Sequence, residues 1–483
     1  MRMKNRRLSF PLFIFLVALV VRLIPVIMAR DLGIGLDDMF QYDMLARSIV
    51  AGDGYRWYAQ DDLYLVQNYI PFDISTVDYD PLGVVTSFRP PLYPAFLSLV
   101  YLITGVSPER FFAARLVQVL LNALLVPLTY LIALRVFPGH IRAARWSAWV
   151  LAFYPMMVIY PLSLATENLF FILVLGLVLS LLKAGEDGRL RWYAFSGLLI
   201  GLSALTRSVI FPFSAVAALW VWSSFRNWKA AAVLFLTAVL VCLPWITRNS
   251  MLHQRLVGIE SSLGYNLYVG YHPLSTGTFQ YGISLDLIPM LDDGLRDQIG
   301  TAKAIEFIRK DPSRVITLAV MRAGHFFGLE RRALTYFYSN NFFGFIAAPL
   351  LLTIGLLLLL PFVVVSTSSA YGFILADWRR HEVVLIGLVV LTYIAPHILL
   401  LAEDRFHLTI VPFLAIFAAR FWEGGFGQIK QLYGSTLVGK ILVITSTVVF
   451  LLLLLNWGNE LARDYDKLVV LFGPEGNASG FPY

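Results

Sequence analysis

Charge is what this sequence has least of. Only 14% of its 483 residues are Asp, Glu, Lys or Arg, against 58% hydrophobic residues and a mean hydropathy of +0.71. A soluble globular chain is roughly a quarter charged. The shortage excludes an ordinary water-soluble fold and points to lipid-facing helices, which carry charge only at high cost. Cysteine is nearly absent: Cys242 stands alone in an apolar run, so no disulfide can form within the chain. Among the few histidines, His253, His272, His325 and His407 show no metal-ligand spacing. A G-x-S-x-G motif and a phosphate loop are both missing, which removes serine-hydrolase and P-loop chemistry. No inverted repeat of broken helices marks a secondary transporter. The net charge of +7 does not indicate nucleic acid, because Lys and Arg sit in short clusters between apolar runs and form no basic stripe.

What the chain does have is long apolar runs. Crossing a ~30 Å hydrocarbon core takes roughly 20 helical residues, and helices satisfy their own backbone there. The expected fold is therefore an all-α polytopic membrane bundle. Spans are expected at about 10–29, 112–135, 143–161, 166–183, 192–208, 209–225, 229–247, 342–366, 382–401, 408–422 and 440–457. Arg2, Lys4, Arg6 and Arg7 imitate the start of a signal peptide, but the apolar run after them is too long and no small-x-small site follows. The first helix is thus expected to stay, with its N-terminus in the cytoplasm. If the spans alternate, four basic connectors fall on the same side: Lys183, Arg189 and Arg191; Arg226 and Lys229; Arg379 and Arg380; Lys430 and Lys440. The segment 91–105 is apolar but short, so it crosses, re-enters or pairs with another short crossing. About eleven to thirteen spans are expected, with a catalytic module over 1–422 and a last helix and outward tail over 423–483.

Two outward loops are long, at about 30–90 and 248–312, and loops of that length are usually functional. The first is rich in Asp and aromatic residues and contains Asp37 and Asp38, followed by Tyr42, Leu45, Ala46 and Ile49 at helical spacing. The acidic pair reads either as the N-cap of a surface helix or as a general base or metal ligand. Arg89 precedes Pro90 and Pro91, where it either snorkels or binds phosphate. Arg207, Arg248 and Arg405 end spans on the same side, and such a convergence suits an anionic, phosphate-bearing ligand from the bilayer. Glu167 falls there too, as a solvated residue or one that orients a substrate hydroxyl. Asn477, Ala478 and Ser479 match a glycosylation sequon and are read as a chance match in a polar tail.

Taken in order, LDDMFQYDMLARSIVAGDGY from Leu36, RPPLYPAFLSLVYLITG from Arg89, YPLSLATENLF, SALTRSVIFPF, LPWITRNS, a Gly-Tyr-Asn-Leu stretch from Gly264 and EDRFHLTIVPFLAIFAA from Glu403 resemble the GT-C superfamily of membrane glycosyltransferases. More narrowly they look like bacterial members of glycosyltransferase family 39, related to protein O-mannosyltransferases and lipid A aminoarabinose transferases. The resemblance covers most of the chain to about residue 420. It implies inverting transfer of a sugar from a polyprenyl-phosphate carrier to an acceptor hydroxyl of a protein, lipid or glycan, at the outer face of the plasma membrane. It also implies Asp37 as base with Asp38 in support, Arg89, Arg207, Arg248 and Arg405 on the donor phosphate, and Tyr42, Tyr55, Glu167, Tyr265 and His407 near the substrate. Some relatives carry an acidic residue before the basic-Pro-Pro motif, where this chain has Phe88. A divalent metal is therefore doubtful, with Asp38, Asp78 and Asp80 as the candidate ligands. The competing readings are a transporter or flippase of lipid-linked sugars and a non-catalytic assembly subunit.

Overall fold

The computed structural model describes residues 9–35, 37–66, 79–287, 290–342 and 344–480. The chain is helical almost throughout. It opens with α1 (Phe10–Met28), α2 (Asp38–Ala51), a short hairpin pairing β1 (Arg56–Trp57) with β2 (Val84–Val85) around α3 (Gln60–Val66), and α4 (Leu92–Thr104). The bundle continues with α5 (Arg110–Val136), α6 (Ile141–Phe153), α7 (Pro155–Ile159), α8 (Glu167–Asp187), α9 (Leu190–Thr206), α10 (Phe213–Phe225) and α11 (Trp228–Leu252). The second long loop folds into α12 (Leu263–Tyr271), α13 (Tyr281–Ser284), α14 (Asp293–Lys310), α15 (Arg314–Phe326) and α16 (Arg332–Phe337). The chain closes with α17 (Ala348–Ile374), α18 (His381–Leu399), α19 (Val411–Ser435), α20 (Leu437–Arg463) and α21 (Tyr465–Leu471).

Eight helices among the described residues are long and apolar enough to cross a membrane: α1, α5, α8, the run Ser208–Phe225, α11, α17, α18 and α20. Three of the expected spans look different. The run 143–161 breaks at Tyr154 before Pro155, 192–208 is a helix of 17 residues, and 408–422 is the buried start of α19, which goes on past Arg420 and Glu423. Buried helices inside a bundle need not be apolar all round, because protein rather than lipid surrounds them.

Polar contacts sort the helix ends into two groups. Arg135 at the end of α5 pairs with Glu186 at 2.9 Å, Arg380 donates to Arg135 O, Trp220 donates to His381 O at 3.1 Å, and His140 meets Glu423 at 2.6 Å. The ring of Phe10 lies 4.9 Å from that of Tyr130, which brings the start of α1 toward the same end. This end carries the expected basic connectors. At the opposite end Glu167 meets Arg207 at 2.6 Å and Arg331 meets Glu460 at 2.7 Å. The chain thus runs back and forth between two ends, and α2 to α4 and α12 to α16 gather at the second.

Helix α4 does not cross. Its 13 residues reach ~20 Å, short of a ~30 Å core. Tyr93 near its start donates to Gln118 at 2.6 Å, and Tyr101 near its end donates to Asp43 at 2.9 Å. Both ends are therefore held on the loop side. The expected boundary at 422 falls inside α19. Beyond it, α20 is bound to the end of α15 and the loop before α16 through Arg331–Glu460, Trp457 donating to Phe327 O and Asn456 donating to Gly324 O. These contacts join α20 to the cavity end of the bundle.

Candidate active site

The loop end encloses a cavity of about 1460 Å³, larger than the roughly 300–1,000 Å³ of small-molecule pockets. Asp37, Asp38, Tyr42, Arg89, Arg207, Tyr265 and Arg405 all line it. One wall is apolar, with Val209, Phe211, Pro212, Ile246, Ile259 and Leu401.

Asp37 is the N-cap of α2 and accepts the Met39 amide on Oδ1 at 2.9 Å. Both readings of the acidic pair therefore hold at once: the residue caps the helix and faces the cavity. Among the described residues it makes no salt bridge. Burial against the cavity wall, and then the charge of Asp38, push its carboxyl above the usual carboxylate range. Asp38 has the opposite surroundings. Arg89 donates to its Oδ1, and Arg405 donates to its Oδ2 at 2.9 Å. Although burial opposes it, these two guanidiniums hold the Asp38 carboxyl well below its usual range. Two neighbouring carboxylates with divergent titration are the pattern expected of an acid–base site.

The arginines form an alternating ladder with acids. Arg405 also pairs with Glu403 at 2.8 Å, and Glu403 in turn takes Arg332 at 3.1 Å. Arg207 pairs with buried Glu167 and donates to Thr166 Oγ1 at 3.1 Å. Arg89 also donates from Nε to Gln41 at 2.9 Å and lies over the Tyr42 ring at 5.4 Å. Glu167 is buried against Arg207 and is not among the residues lining the cavity.

Other residues assigned by sequence lie elsewhere. Arg248 does not line the cavity; it donates to Thr86 O at 2.6 Å and lies over the Trp245 ring. The Tyr55 hydroxyl donates to Arg89 O at 2.9 Å and to Pro90 O at 3.1 Å. Both support the Arg89 segment from behind. His407 is fully buried beside Glu330 at 2.9 Å and stacked on Phe362, away from the cavity. In each case the sequence places a polar residue near the right end of a span, while packing decides which way it points.

Several cavity residues were missed: Gln41, Arg115, Glu260, Arg296, Arg332, His397 and Glu403. Arg296 is nearly buried, pairs with Asp293 and stands 4.7 Å over the Phe88 ring. Asp293 Oδ2 in turn accepts from Thr86 Oγ1 and from the Ser87 amide at 2.9 Å. Ser87, His253 and Asp292 line up in the order of a hydrolase triad, at 2.7 and 3.5 Å. Ser87 is fully buried and donates to Ser261, so no substrate carbonyl reaches it.

Among the described residues the side chains do not assemble a divalent-metal site. Both oxygens of Asp38 are taken by arginines, and Asp80 pairs with Arg56 at 2.7 Å outside the cavity lining. Asp78 lies outside the described residues. No group of three His, Cys, Asp or Glu among the described residues could hold an ion. At Phe88, where a ligand carboxylate would stand, a guanidinium covers the ring instead.

Fold and site together define a multi-pass helical membrane protein with a large, arginine-rich cavity at one end of the bundle. Residues 88–248, which include Arg89, Glu167 and Arg207, match the family described as dolichyl-phosphate-mannose-protein mannosyltransferase. The expected likeness to protein mannosyltransferases is found in that segment, and Asp37, Asp38 and Arg405 lie outside it. Two solved structures of the oligosaccharyltransferase from Archaeoglobus fulgidus are similar in fold. AglB in complex with an inhibitory peptide and a dolichol-phosphate aligns with 98% of this chain at 16% identity and a TM-score of 0.48. The apo form aligns with 99% at 16% identity and 0.49. The chain spans 60% and 61% of the length of those two. ArnT from Cupriavidus metallidurans, bound to undecaprenyl phosphate, aligns with 88% of this chain and 80% of its own at 13% identity and 0.38. Among curated proteins none matches the chain.

Proposed function

We propose that this protein transfers a sugar from a polyprenyl-phosphate donor to an acceptor hydroxyl, with inversion at the anomeric carbon. The observation that carries this reading is the division of labour at the start of α2. Asp37 makes no ion pair among the described residues and its carboxyl is raised by burial, while Asp38 is locked between Arg89 and Arg405. Asp37 takes the proton of the acceptor hydroxyl as its oxygen bonds to the anomeric carbon. The bond from that carbon to the phosphate oxygen breaks, and the electron pair leaves with the lipid phosphate. Charge grows on that phosphate in the transition state, so Arg89, Arg405 and Arg207 stabilise it more there than in the ground state. A phosphate leaves without protonation, so a second acid is unnecessary, unlike in glycoside hydrolysis. The apolar wall from Val209 to Ile259 suits the first part of the lipid.

By the positive-inside rule the basic connectors support a cytoplasmic position for the opposite end, and with it an outward-facing cavity. The acceptor is a protein, lipid or glycan hydroxyl. The test uses the full chain in nanodiscs with a panel of undecaprenyl-phosphate hexoses. Asp37→Asn should lose transfer while binding undecaprenyl phosphate as the parent does. Full transfer by a folded Asp37→Asn protein removes Asp37 from the chemistry.

A further inference from the structure

The first half of helix α5 carries a polar stripe on its buried face. Arg115, Gln118 and Asn122 are spaced three and four residues apart, share one face of the helix, and are each fully buried. Inside a membrane bundle such groups are costly unless each finds partners. The partners here are specific. Arg115 donates from Nε to Leu162 O at 2.8 Å, from Nη2 to Gly33 O at 2.8 Å, and from Nη1 to Leu32 O. Gln118 donates to Pro161 O at 2.9 Å and Ser163 O at 3.1 Å, and accepts the Tyr93 hydroxyl at 2.6 Å. Asn122 donates to Asn168 Oδ1 at 2.9 Å.

Each partner adjoins a different part of the site. Leu32 and Gly33 lead into Asp37, Tyr93 follows Arg89 on α4, and the residues from Pro161 to Asn168 flank Thr166 and Glu167, which hold Arg207. Arg115 makes no ion pair among the described residues; its donors go to backbone carbonyls of two other segments. The loop it grips contains Gly33 and Gly35, whose backbones are the least restrained of any residue. A rigid guanidinium fork can hold two segments at once, which an ammonium cannot do with the same geometry.

We propose that this stripe is the frame that sets base, donor-phosphate arginine and Arg207 relative to one another, and that Arg115 is the positioning residue for Asp37. The inference rests on Asp37 acting as base. It does not make Arg115 catalytic, since Arg115 acts through the backbone before Asp37. A displacement on the order of 1 Å at a reacting group can cost about 100-fold in rate.

The experiment is hydrogen–deuterium exchange with kinetics on the full chain in nanodiscs, comparing the parent with Arg115→Lys. Faster exchange, by about tenfold, is expected for amides of 30–38 but not for those of 84–90, together with a kcat lower by about 10- to 100-fold and an unchanged KM for donor. Added guanidinium should restore part of the turnover of Arg115→Ala. Parent-like exchange and turnover in Arg115→Lys would overturn the proposal, and so would a rise in exchange spread equally over all loops at the cavity end. Should the Arg115 variants not fold, Gln118→Leu provides the same comparison at 91–95 and 161–168, with faster exchange expected there and parent-like exchange overturning the frame. An active Asp37→Asn would instead sink the base reading, and the local exchange result would still stand.

Discussion

The segments carrying Arg89 and Asp37 meet at one cavity, where Arg89 pairs with Asp38, but they are held in very different ways. Residues 86–90 are clamped along their whole length. Arg248 takes Thr86 O, Asp293 takes Thr86 Oγ1 and the Ser87 amide, and Ser261 N donates to Ser87 O at 3.0 Å. Arg296 covers Phe88, and Tyr55 donates to the Arg89 and Pro90 carbonyls. The segment before Asp37 has the Arg115 fork, the N-cap bond to Met39 and two glycines. The difference matches the two tasks. An arginine that must meet a phosphate benefits from a fixed position, because preorganised donors need not rearrange as charge develops. The proposed base has fewer restraints, so its position depends chiefly on the Arg115 fork and the N-cap bond.

The largest effect that would break this comparison is at Asp37. Asp37→Asn should lower kcat by about 10²- to 10⁴-fold, the usual worth of a positioned base, with donor binding retained. Next comes Arg89→Ala, which should lower kcat/KM by about 10²-fold or more, since it removes a charge-assisted contact and leaves Asp38 with one arginine fewer. Arg89→Lys should recover only part, because an ammonium offers no planar fork. Asp293→Asn sharpens the contrast: loosening the clamp should raise the donor KM by about tenfold, in line with about 1–2 kcal/mol for a buried hydrogen-bonded pair. A larger fall in kcat than in donor affinity would show that the clamp serves the base instead.

The smallest effect is in the pH profile. A base works only when unprotonated, so activity should rise with pH through the Asp37 titration, at a pH above the ordinary carboxylate range. Asp38 stays ionised throughout, since its own titration lies below that range. Asp38→Asn removes a neighbouring negative charge and should move this acid limb to lower pH, whatever it does to the rate. An unmoved limb, followed in kcat/KM across the acid range, would show that the group seen is not Asp37.

Much of the fold was readable because its signals are local. The apolar runs, basic connectors and short 91–105 segment each depend on neighbouring residues alone. The site was readable in part. The sequence marked Asp37, Asp38, Arg89, Arg207 and Arg405, all of which line the cavity. Arg248, Tyr55 and His407 are not in the cavity lining, a matter the sequence could not decide because proximity to a span end says nothing about which way a side chain points. The stripe on α5 had a readable signal, three polar residues at helical spacing in an apolar helix, but its partners are invisible until the chain folds.

What the sequence determined by itself was the class of molecule. Lipid admits backbone only as closed hydrogen-bonded elements, so apolar length and charge placement suffice to specify a polytopic bundle with an acidic loop at one end. What only the tertiary structure decided was the inequality within the acidic pair. Asp37 and Asp38 are adjacent and chemically identical. They differ because Arg89, and Arg405 from 367 residues away in the chain, close on one carboxylate and leave the other facing the cavity.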